Sequence, residues 1–129
     1  VADPRARSMS ALLATCHCGA IEIAIAIDAA PTEVTECNCS LCRRYGVVWA
    51  YFEADQLTLP DASLTATYAW NGRHVDFHRC RTCGCVTHWM PRVDRRTRRG
   101  LNARLLPPEV MAAARLRHKD GAGSGAYLD

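Results

Sequence analysis

The sequence contains no long apolar run, and no stretch approaches the roughly 20 residues that a membrane-spanning helix requires. It also shows no convincing signal peptide, because the apolar stretch at residues 9–14 is short and no clear cleavage site follows it. Internal repeats and low-complexity core segments are absent as well. These absences predict a cytoplasmic protein that has no membrane partner.

The composition is that of a globular domain, with 49% hydrophobic and 22% charged residues in a chain of 129. A chain of this length can bury a core without crosslinks. We predict a flexible leader at residues 1–14, a single zinc-binding domain at residues 15–120 and a flexible tail at residues 121–129. The zinc assignment depends on the cysteines.

Eight cysteines stand in three short clusters. The first cluster is Cys16 and Cys18, the second is Cys37, Cys39 and Cys42, and the third is Cys80, Cys83 and Cys85. An even number of cysteines raises the alternative of a disulfide framework, but secreted scaffolds spread their cysteines to join distant loops. In a reducing compartment, clusters of this kind more often bind a metal or take part in catalysis. We therefore predict metal binding.

The first and third clusters each supply one closely spaced pair, Cys16 with Cys18 and Cys80 with Cys83. Zinc takes cysteine thiolates at such spacings in tetrahedral sites. Neither pair completes a site alone, so the two together predict a closed Cys₄ zinc site with a structural role. Such a site contributes directly to the folding free energy.

The second cluster supplies three sulfurs, from Cys37, Cys39 and Cys42. Three protein ligands and an open fourth position are the pattern of catalytic zinc. The alternative is that Cys85 supplies a fourth sulfur and closes a second structural site. Three thiolates would leave Zn²⁺ with one net negative charge, so the ion would activate water poorly but would suit an incoming thiol or a carbonyl.

The formal net charge of +3 and the pI of about 8.5 point by themselves to an acidic partner. Seven thiolates on two Zn²⁺ ions would add seven negative and four positive charges, and so bring the total to zero. The densest positive run, at residues 92–99, has no interleaved aromatic residues for base stacking and is typical of a solvated loop. We therefore predict no nucleic-acid partner, and the sequence leaves the oligomeric state open.

The hydrophobic pattern predicts a mainly β fold with short helical pieces. The strict alternation of isoleucine at residues 21–27 is the clearest strand signal. Further strands are predicted at residues 33–36, 47–52, 57–59, 64–70, 74–79, 86–90, 101–105 and 115–118. Ser40 is predicted to cap a helical turn at residues 40–45. A short helix is predicted at residues 109–114, and the Asn-Gly step at residues 71–72 predicts a hairpin turn.

Four segments resemble, in order, the signatures of one known family. They are Cys-His-Cys-Gly-Ala from residue 16, Cys-Asn-Cys-Ser-Leu-Cys-Arg-Arg from residue 37, Cys-Arg-Thr-Cys-Gly-Cys-Val-Thr-His-Trp from residue 80 and Asn-Ala-Arg-Leu-Leu from residue 102. Over residues 15–106 the chain resembles the glutathione-dependent formaldehyde-activating enzyme family, which also includes centromere protein V.

This resemblance implies a β-tent of two or three small antiparallel sheets around zinc. It implies a structural zinc on Cys16, Cys18, Cys80 and Cys83, and a catalytic zinc on Cys37, Cys39 and Cys42. It also implies a carbon-sulfur lyase that condenses a glutathione-type thiol with formaldehyde or another small aldehyde, as in the synthesis of S-hydroxymethylglutathione. The competing hypothesis is a non-enzymatic zinc-binding module with two structural sites that binds a protein or nucleic-acid partner.

Three arginines are candidates for binding the carboxylates of a glutathione-like co-substrate by forked hydrogen bonds. Arg43 and Arg44 follow the second cluster, and Arg104 lies in the last of the four segments. The alternative is that they are solvated surface residues. His88 is either a proton shuttle or a packing residue of its predicted strand.

Overall fold

The computed structural model of the protein describes residues 11–70, 72–93 and 96–129, and it arranges them in two β-sheets with short helices. The predicted mainly β fold is therefore confirmed. The strands of this part of the chain are β1 (Ala11–Thr15), β2 (Glu22–Ala26), β3 (Glu33–Cys37), β4 (Trp49–Glu53), β5 (Leu57–Thr58), β6 (Thr65–Tyr68), β7 (Val75–Cys80), β8 (Val86–Pro91), β9 (Arg98–Asn102) and β10 (Arg115–Lys119). The α-helices are α1 (Ser40–Tyr45) and α2 (Pro108–Ala113), and 3₁₀ turns occupy Ile27–Ala29, Ala54–Gln56, Ala62–Leu64 and Ala103–Leu105. Within the described ranges no helix is long and apolar enough to cross a membrane.

The smaller sheet has three strands in the order β1-β2-β5. At its centre, Ile23 and Ile25 of β2 are fully buried while Glu22 is exposed, which is the alternation that predicted this strand. β1 pairs antiparallel with β2 at every one of its residues. β1 occupies the end of the stretch that the sequence predicted as a leader, because these backbone pairs and the burial of Ala14 stabilise it there.

The larger sheet has seven strands in the order β10-β3-β4-β9-β8-β7-β6. β10 lies parallel to β3, and the other neighbouring strands pair antiparallel. β6 and β7 pair as the predicted hairpin would require, but residue 71 of its turn lies outside the described residues. Trp49, Ala50 and Phe52 of β4 are buried, which places this strand at the centre of the core.

Two element predictions need correction. The strand predicted at residues 101–105 is wrong in position, since β9 ends at Asn102. The side chain of Asn102 accepts a hydrogen bond from the Arg104 N–H at 3.2 Å and so starts a 3₁₀ turn. The predicted helical turn at residues 40–45 is confirmed, but its cap is Cys39 instead of Ser40, because the Cys39 sulfur accepts the N–H of Cys42 in the first turn of the helix.

The C-terminal segment folds back on β3 and on the loop that follows it, in a stretch that the sequence predicted to be a flexible tail. The Asp120 N–H donates to the carbonyl of Ala126 at 2.8 Å, and the Asp120 carboxylate accepts from the Asn38 side chain at 3.0 Å. The Tyr127 hydroxyl lies 3.0 Å from the hydroxyl of Thr35. These contacts bring the segment next to the second cysteine cluster.

Candidate metal centres and adjoining clefts

The first of two cysteine sites, here called the four-cysteine site, combines Cys16, Cys18, Cys80 and Cys83, whose sulfur atoms all lie within 4.8 Å of one another. The Cys18 sulfur is 3.7 Å from the sulfurs of both Cys16 and Cys80. A zinc ion about 2.3 Å from each of four tetrahedral sulfurs separates neighbouring sulfurs by about 3.8 Å. The donor type and the spacing therefore both fit a zinc ion.

Two matching turns present these sulfurs. Cys16 follows β1 and Cys80 ends β7, so the site joins the smaller sheet to the larger one. The Gly19 N–H donates to the carbonyl of Cys16 at 3.1 Å, and the Gly84 N–H donates to that of Cys80 at 3.0 Å. The two glycines have φ angles of +82° and +80°, a conformation that glycine adopts without steric cost.

Backbone N–H groups point at the sulfurs of this site. The Ile21 N–H donates to the Cys16 sulfur at 3.3 Å. Hydrogen bonding, above all from the backbone of Cys85, lowers the pKa of Cys83 to about 5. These hydrogen bonds favour the thiolate of Cys83, which is the form that binds a metal.

Cys85 lies beside the four-cysteine site and away from the second cluster. Its carbonyl accepts the N–H of Cys80 at 2.9 Å, and its side chain packs against the core cluster that contains Cys16 and Cys80. The alternative in which Cys85 closes a second structural site therefore finds no support in its position.

The second site, here called the three-cysteine site, is built where β3 leads into α1. Cys37 ends β3, Cys39 caps α1 and Cys42 lies within the helix, and their three sulfurs are within 4.8 Å of one another. The Cys42 N–H donates to the Cys39 sulfur at 3.3 Å, and the indole N–H of Trp49 donates to the Cys42 sulfur at 3.4 Å. Among the described residues, no fourth His, Cys, Asp or Glu side chain joins these three sulfurs within 4.8 Å. The site could hold a metal ion with one position left for another ligand.

The three thiols of this site differ in how readily they ionise. Burial raises the pKa of Cys42 to about 12, and it also raises the pKa of Cys37. Burial opposes the ionisation of Cys39 as well, but hydrogen bonds from the backbone and side chain of Cys42 outweigh it and lower the Cys39 pKa. Cys39 is thus the easiest of the three to ionise, and a divalent cation would offset the cost of ionising the other two.

A cleft of about 270 Å³, here called the basic cleft, adjoins the three-cysteine site. It is lined by Glu36, Cys37, Asn38, Cys42, Arg43, Gly46, Val47 and Arg104. The Arg104 Nε donates to the carbonyl of Gly46 at 2.9 Å, which holds this side chain against the cleft. Arg44 is not part of the lining, and its guanidinium donates instead to the Ser40 carbonyl at 2.8 Å. The fold brings two of the three predicted arginines, Arg43 and Arg104, to the cluster.

A second cleft of about 300 Å³, here called the aromatic cleft, also adjoins the three-cysteine site. It is lined by Cys37, Cys39, Trp70, His74, Val75, Phe77, Lys119 and Gly121. A Cβ atom added at Gly121 would clash with the Cys37 sulfur, so the backbone there lies directly against the site. The sequence did not predict this cleft, because its walls come from residues far apart in the chain that have no shared motif.

His88 lies in the core and lines neither cleft. Its ring stacks on that of His78 with centroids 4.2 Å apart, and its Nδ1 is 2.9 Å from the Thr87 hydroxyl. Burial lowers the pKa of His88 to about 3, so the ring is neutral at physiological pH. This environment matches the packing alternative for His88 better than the proton shuttle.

The arginine run at residues 92–99 contacts neighbouring strands. Arg92 Nε lies 3.4 Å from the carboxylate of Asp76, and the guanidinium of Arg98 lies 4.0 Å from the centroid of the Tyr51 ring. Arg98 is also the first residue of β9, so the run predicted as a solvated loop is strand at its end. Residues 94 and 95 lie outside the described residues.

Comparisons with known proteins agree with this arrangement. The family model described as glutathione-dependent formaldehyde-activating enzyme matches residues 11–106, which include the seven cysteines of both sites. Among solved structures, a crystal structure of a Rhodobacter sphaeroides protein determined as a structural genomics target is similar, with a TM-score of 0.66 and 29% sequence identity. The match covers 81% of this chain and 99% of that chain. A comparison with curated proteins found no significant match.

Proposed function

Because the chain belongs to the glutathione-dependent formaldehyde-activating enzyme family, we propose that it joins a glutathione-type thiol to formaldehyde or another small aldehyde. In this reaction, of the carbon-sulfur lyase class, a C–S bond forms, the carbonyl double bond becomes single, and the thiol proton ends on the new hydroxyl group. The observation that supports the proposal most is the convergence of three sulfurs beside two clefts. One cleft for each reactant would hold sulfur and carbonyl carbon together, which lowers the entropic part of the barrier.

We assign one zinc ion to each cysteine site. The structural ion is assigned to Cys16, Cys18, Cys80 and Cys83, and the catalytic ion to Cys37, Cys39 and Cys42. When bound, the catalytic ion would supply a Lewis acid that stabilises a thiolate or polarises a carbonyl. The protein's part is to fix the ligands, as the indole N–H of Trp49 does for the Cys42 sulfur.

The basic cleft is the proposed binding site of the thiol substrate. Arg43 and Arg104 place two positive charges in its lining, and a guanidinium can bind a carboxylate of glutathione through two parallel hydrogen bonds. Because Arg104 is already held by the Gly46 carbonyl, less conformational entropy is lost when a ligand binds it. Arg44 is not included, since its guanidinium is turned toward its own helix.

Replacing Arg43 with glutamine is expected to raise the KM for glutathione at least about tenfold, because a hydrogen bond to a charged group contributes about 1.5–3 kcal/mol. The KM for the aldehyde should change little. Arg44→Gln is the matched control, since it removes the same charge from the same helix without touching the cleft. Steady-state kinetics with glutathione varied at saturating aldehyde measures both. Equal effects of the two variants would contradict the assignment of the basic cleft.

The state of the cysteines bears on the cellular compartment in which the protein acts. All eight lie within the described residues, and none of them forms a disulfide. Thiolate metal sites persist where the environment is reducing. We therefore propose the cytoplasm as the compartment in which this protein acts.

The direct test combines metal counting with product detection. Native mass spectrometry of reduced, zinc-loaded protein is expected to show two zinc ions per chain, with one ion loosened or carrying a glutathione adduct when glutathione is added. NMR with ¹³C-labelled formaldehyde and glutathione should then show faster formation of S-hydroxymethylglutathione than in the absence of protein. Two tightly held ions that are indifferent to glutathione, together with no rate enhancement, would contradict the proposal and favour the non-enzymatic zinc module.

A further inference from the structure

The aromatic cleft is larger than formaldehyde requires. Its volume is about 300 Å³. Formaldehyde has two non-hydrogen atoms and is close in size to a water molecule, which occupies about 30 Å³ in the liquid. Pockets that bind organic ligands begin at about 300 Å³ and are lined mainly by apolar and aromatic side chains. The cleft therefore has the dimensions of a subsite for an organic group.

Two aromatic residues and a valine give this cleft its apolar walls. Phe77 of β7 is 9% exposed, and its ring centroid lies 6.0 Å from that of Trp49, so the core fixes its position. Trp70 follows β6 and is half-buried, which leaves part of its indole free to contact a ligand. Val75 begins β7 and adds a branched side chain to the same lining.

The same cleft reaches the reactive sulfurs. Cys37 and Cys39 belong to its lining, so a ligand bound there contacts the three-cysteine site. Gly121 closes the cleft on the C-terminal side, because its backbone lies against the Cys37 sulfur. An apolar group held by the walls would thus carry its attached carbonyl to the sulfurs.

The C-terminal segment that supplies Lys119 and Gly121 lies beyond the residues that the family model matches, which end at residue 106. It is held in place by Asn38, whose amide nitrogen donates to the Asp120 carboxylate at 3.0 Å and whose amide oxygen accepts the Ala122 N–H at 2.9 Å. Asn38 lies between Cys37 and Cys39, so its side chain ties the wall of the aromatic cleft to the backbone that carries the three-cysteine site.

We propose that the aldehyde substrate of this protein carries an aromatic group, which binds in the aromatic cleft against Trp70 and Phe77 while its carbonyl faces Cys37 and Cys39. This inference rests on the proposed function and names the substrate class of the same site. In the reaction the thiol sulfur bonds to the carbonyl carbon, the π electron pair moves to oxygen, and that oxygen takes the thiol proton. No electrons are lost or gained, and no further reactant is needed.

The kinetic test compares phenylacetaldehyde with formaldehyde at fixed glutathione, on full-length zinc-loaded protein. The kcat/KM for phenylacetaldehyde divided by that for formaldehyde is expected to exceed one. Trp70→Ala should lower this ratio about tenfold or more, since contacts of an apolar group distinguish substrates by about 10- to 200-fold. Tyr68→Ala is the matched control, because Tyr68 is a neighbouring exposed aromatic residue outside the cleft. The ratio is insensitive to a loss of folded protein in either variant.

A binding measurement separates this inference from the proposed function. Titration with 2-phenylethanol, which cannot react, is expected to shift the backbone amide signals of residues 74–77 and 119–121 in ¹⁵N–¹H spectra, and Trp70→Ala should weaken that binding. If these shifts are seen but neither aldehyde is turned over, the result would support binding of an aromatic group in the cleft and overturn the proposed function. Turnover of formaldehyde with a ratio below one, unchanged in Trp70→Ala, would overturn the inference and leave the proposed function standing.

Discussion

Cys18→Ser is expected to remove one zinc ion and leave the chain largely unfolded. Apparent binding free energies of structural zinc in small peptides are about 10–16 kcal/mol. Domains of this size are stable by only about 5–15 kcal/mol, so the loss of one such site removes most of the folding free energy. The four-cysteine site also joins the two sheets through the turns after β1 and β7, whereas the three-cysteine site lies where β3 leads into α1. Native mass spectrometry and thermal unfolding followed by circular dichroism measure both effects.

Cys18 is the best ligand for this experiment because it is exposed, whereas Cys16 and Cys80 are buried. Serine at position 18 removes almost no apolar packing, so a loss of stability reports the metal. Cys85→Ser is the control, because Cys85 neighbours the same site but is not one of its four cysteines. The control should keep two zinc ions and a melting temperature close to that of the parent protein. Two zinc ions and unchanged melting in Cys18→Ser would rule out the structural role.

The spacing of the cysteines was enough to predict how they group. A closed tetrahedral zinc site needs four ligands, and the pairs at residues 16–18 and 80–83 each supply two, so their association follows from coordination chemistry. The spacing could not place Cys85, because its side chain has the same chemistry as its neighbours and only the turn around Gly84 decides which way it points. The structure places it beside Cys80, whose N–H donates to the Cys85 carbonyl at 2.9 Å.

Strands in which buried apolar residues alternate with more exposed ones were also predictable, and β2 is the clearest of them. β1 was not, since Ala-Leu-Leu-Ala has no alternation and its structure depends on pairing with β2. The aromatic cleft could not be predicted either. It forms because β10 lies parallel to β3 and carries residues 119–121 back to the three-cysteine site, and such a long-range pairing leaves no local signal in the sequence.

Cys39→Ser is expected to lower kcat/KM by at least a hundredfold while the fold is kept. Changes to groups that only orient a metal ligand cost about 10- to 100-fold, and the loss of a ligand should cost no less. The fold is expected to persist because serine is a favoured N-cap residue, and its hydroxyl can accept the Cys42 N–H that the Cys39 sulfur now accepts at 3.3 Å. The variant therefore removes a thiolate from the three-cysteine site and keeps the cap of α1.

Three measurements on Cys39→Ser decide between an open catalytic site and a second structural one. The zinc count should fall from two toward one, turnover should be lost, and the melting temperature should fall far less than in Cys18→Ser. Cys85→Ser again serves as the control for replacing a thiol with a hydroxyl. Retained turnover in Cys39→Ser would remove the three-cysteine site from the mechanism. Unfolding as severe as that of Cys18→Ser would show that the site holds the fold together, since the helix cap is preserved and only the metal ligand has changed.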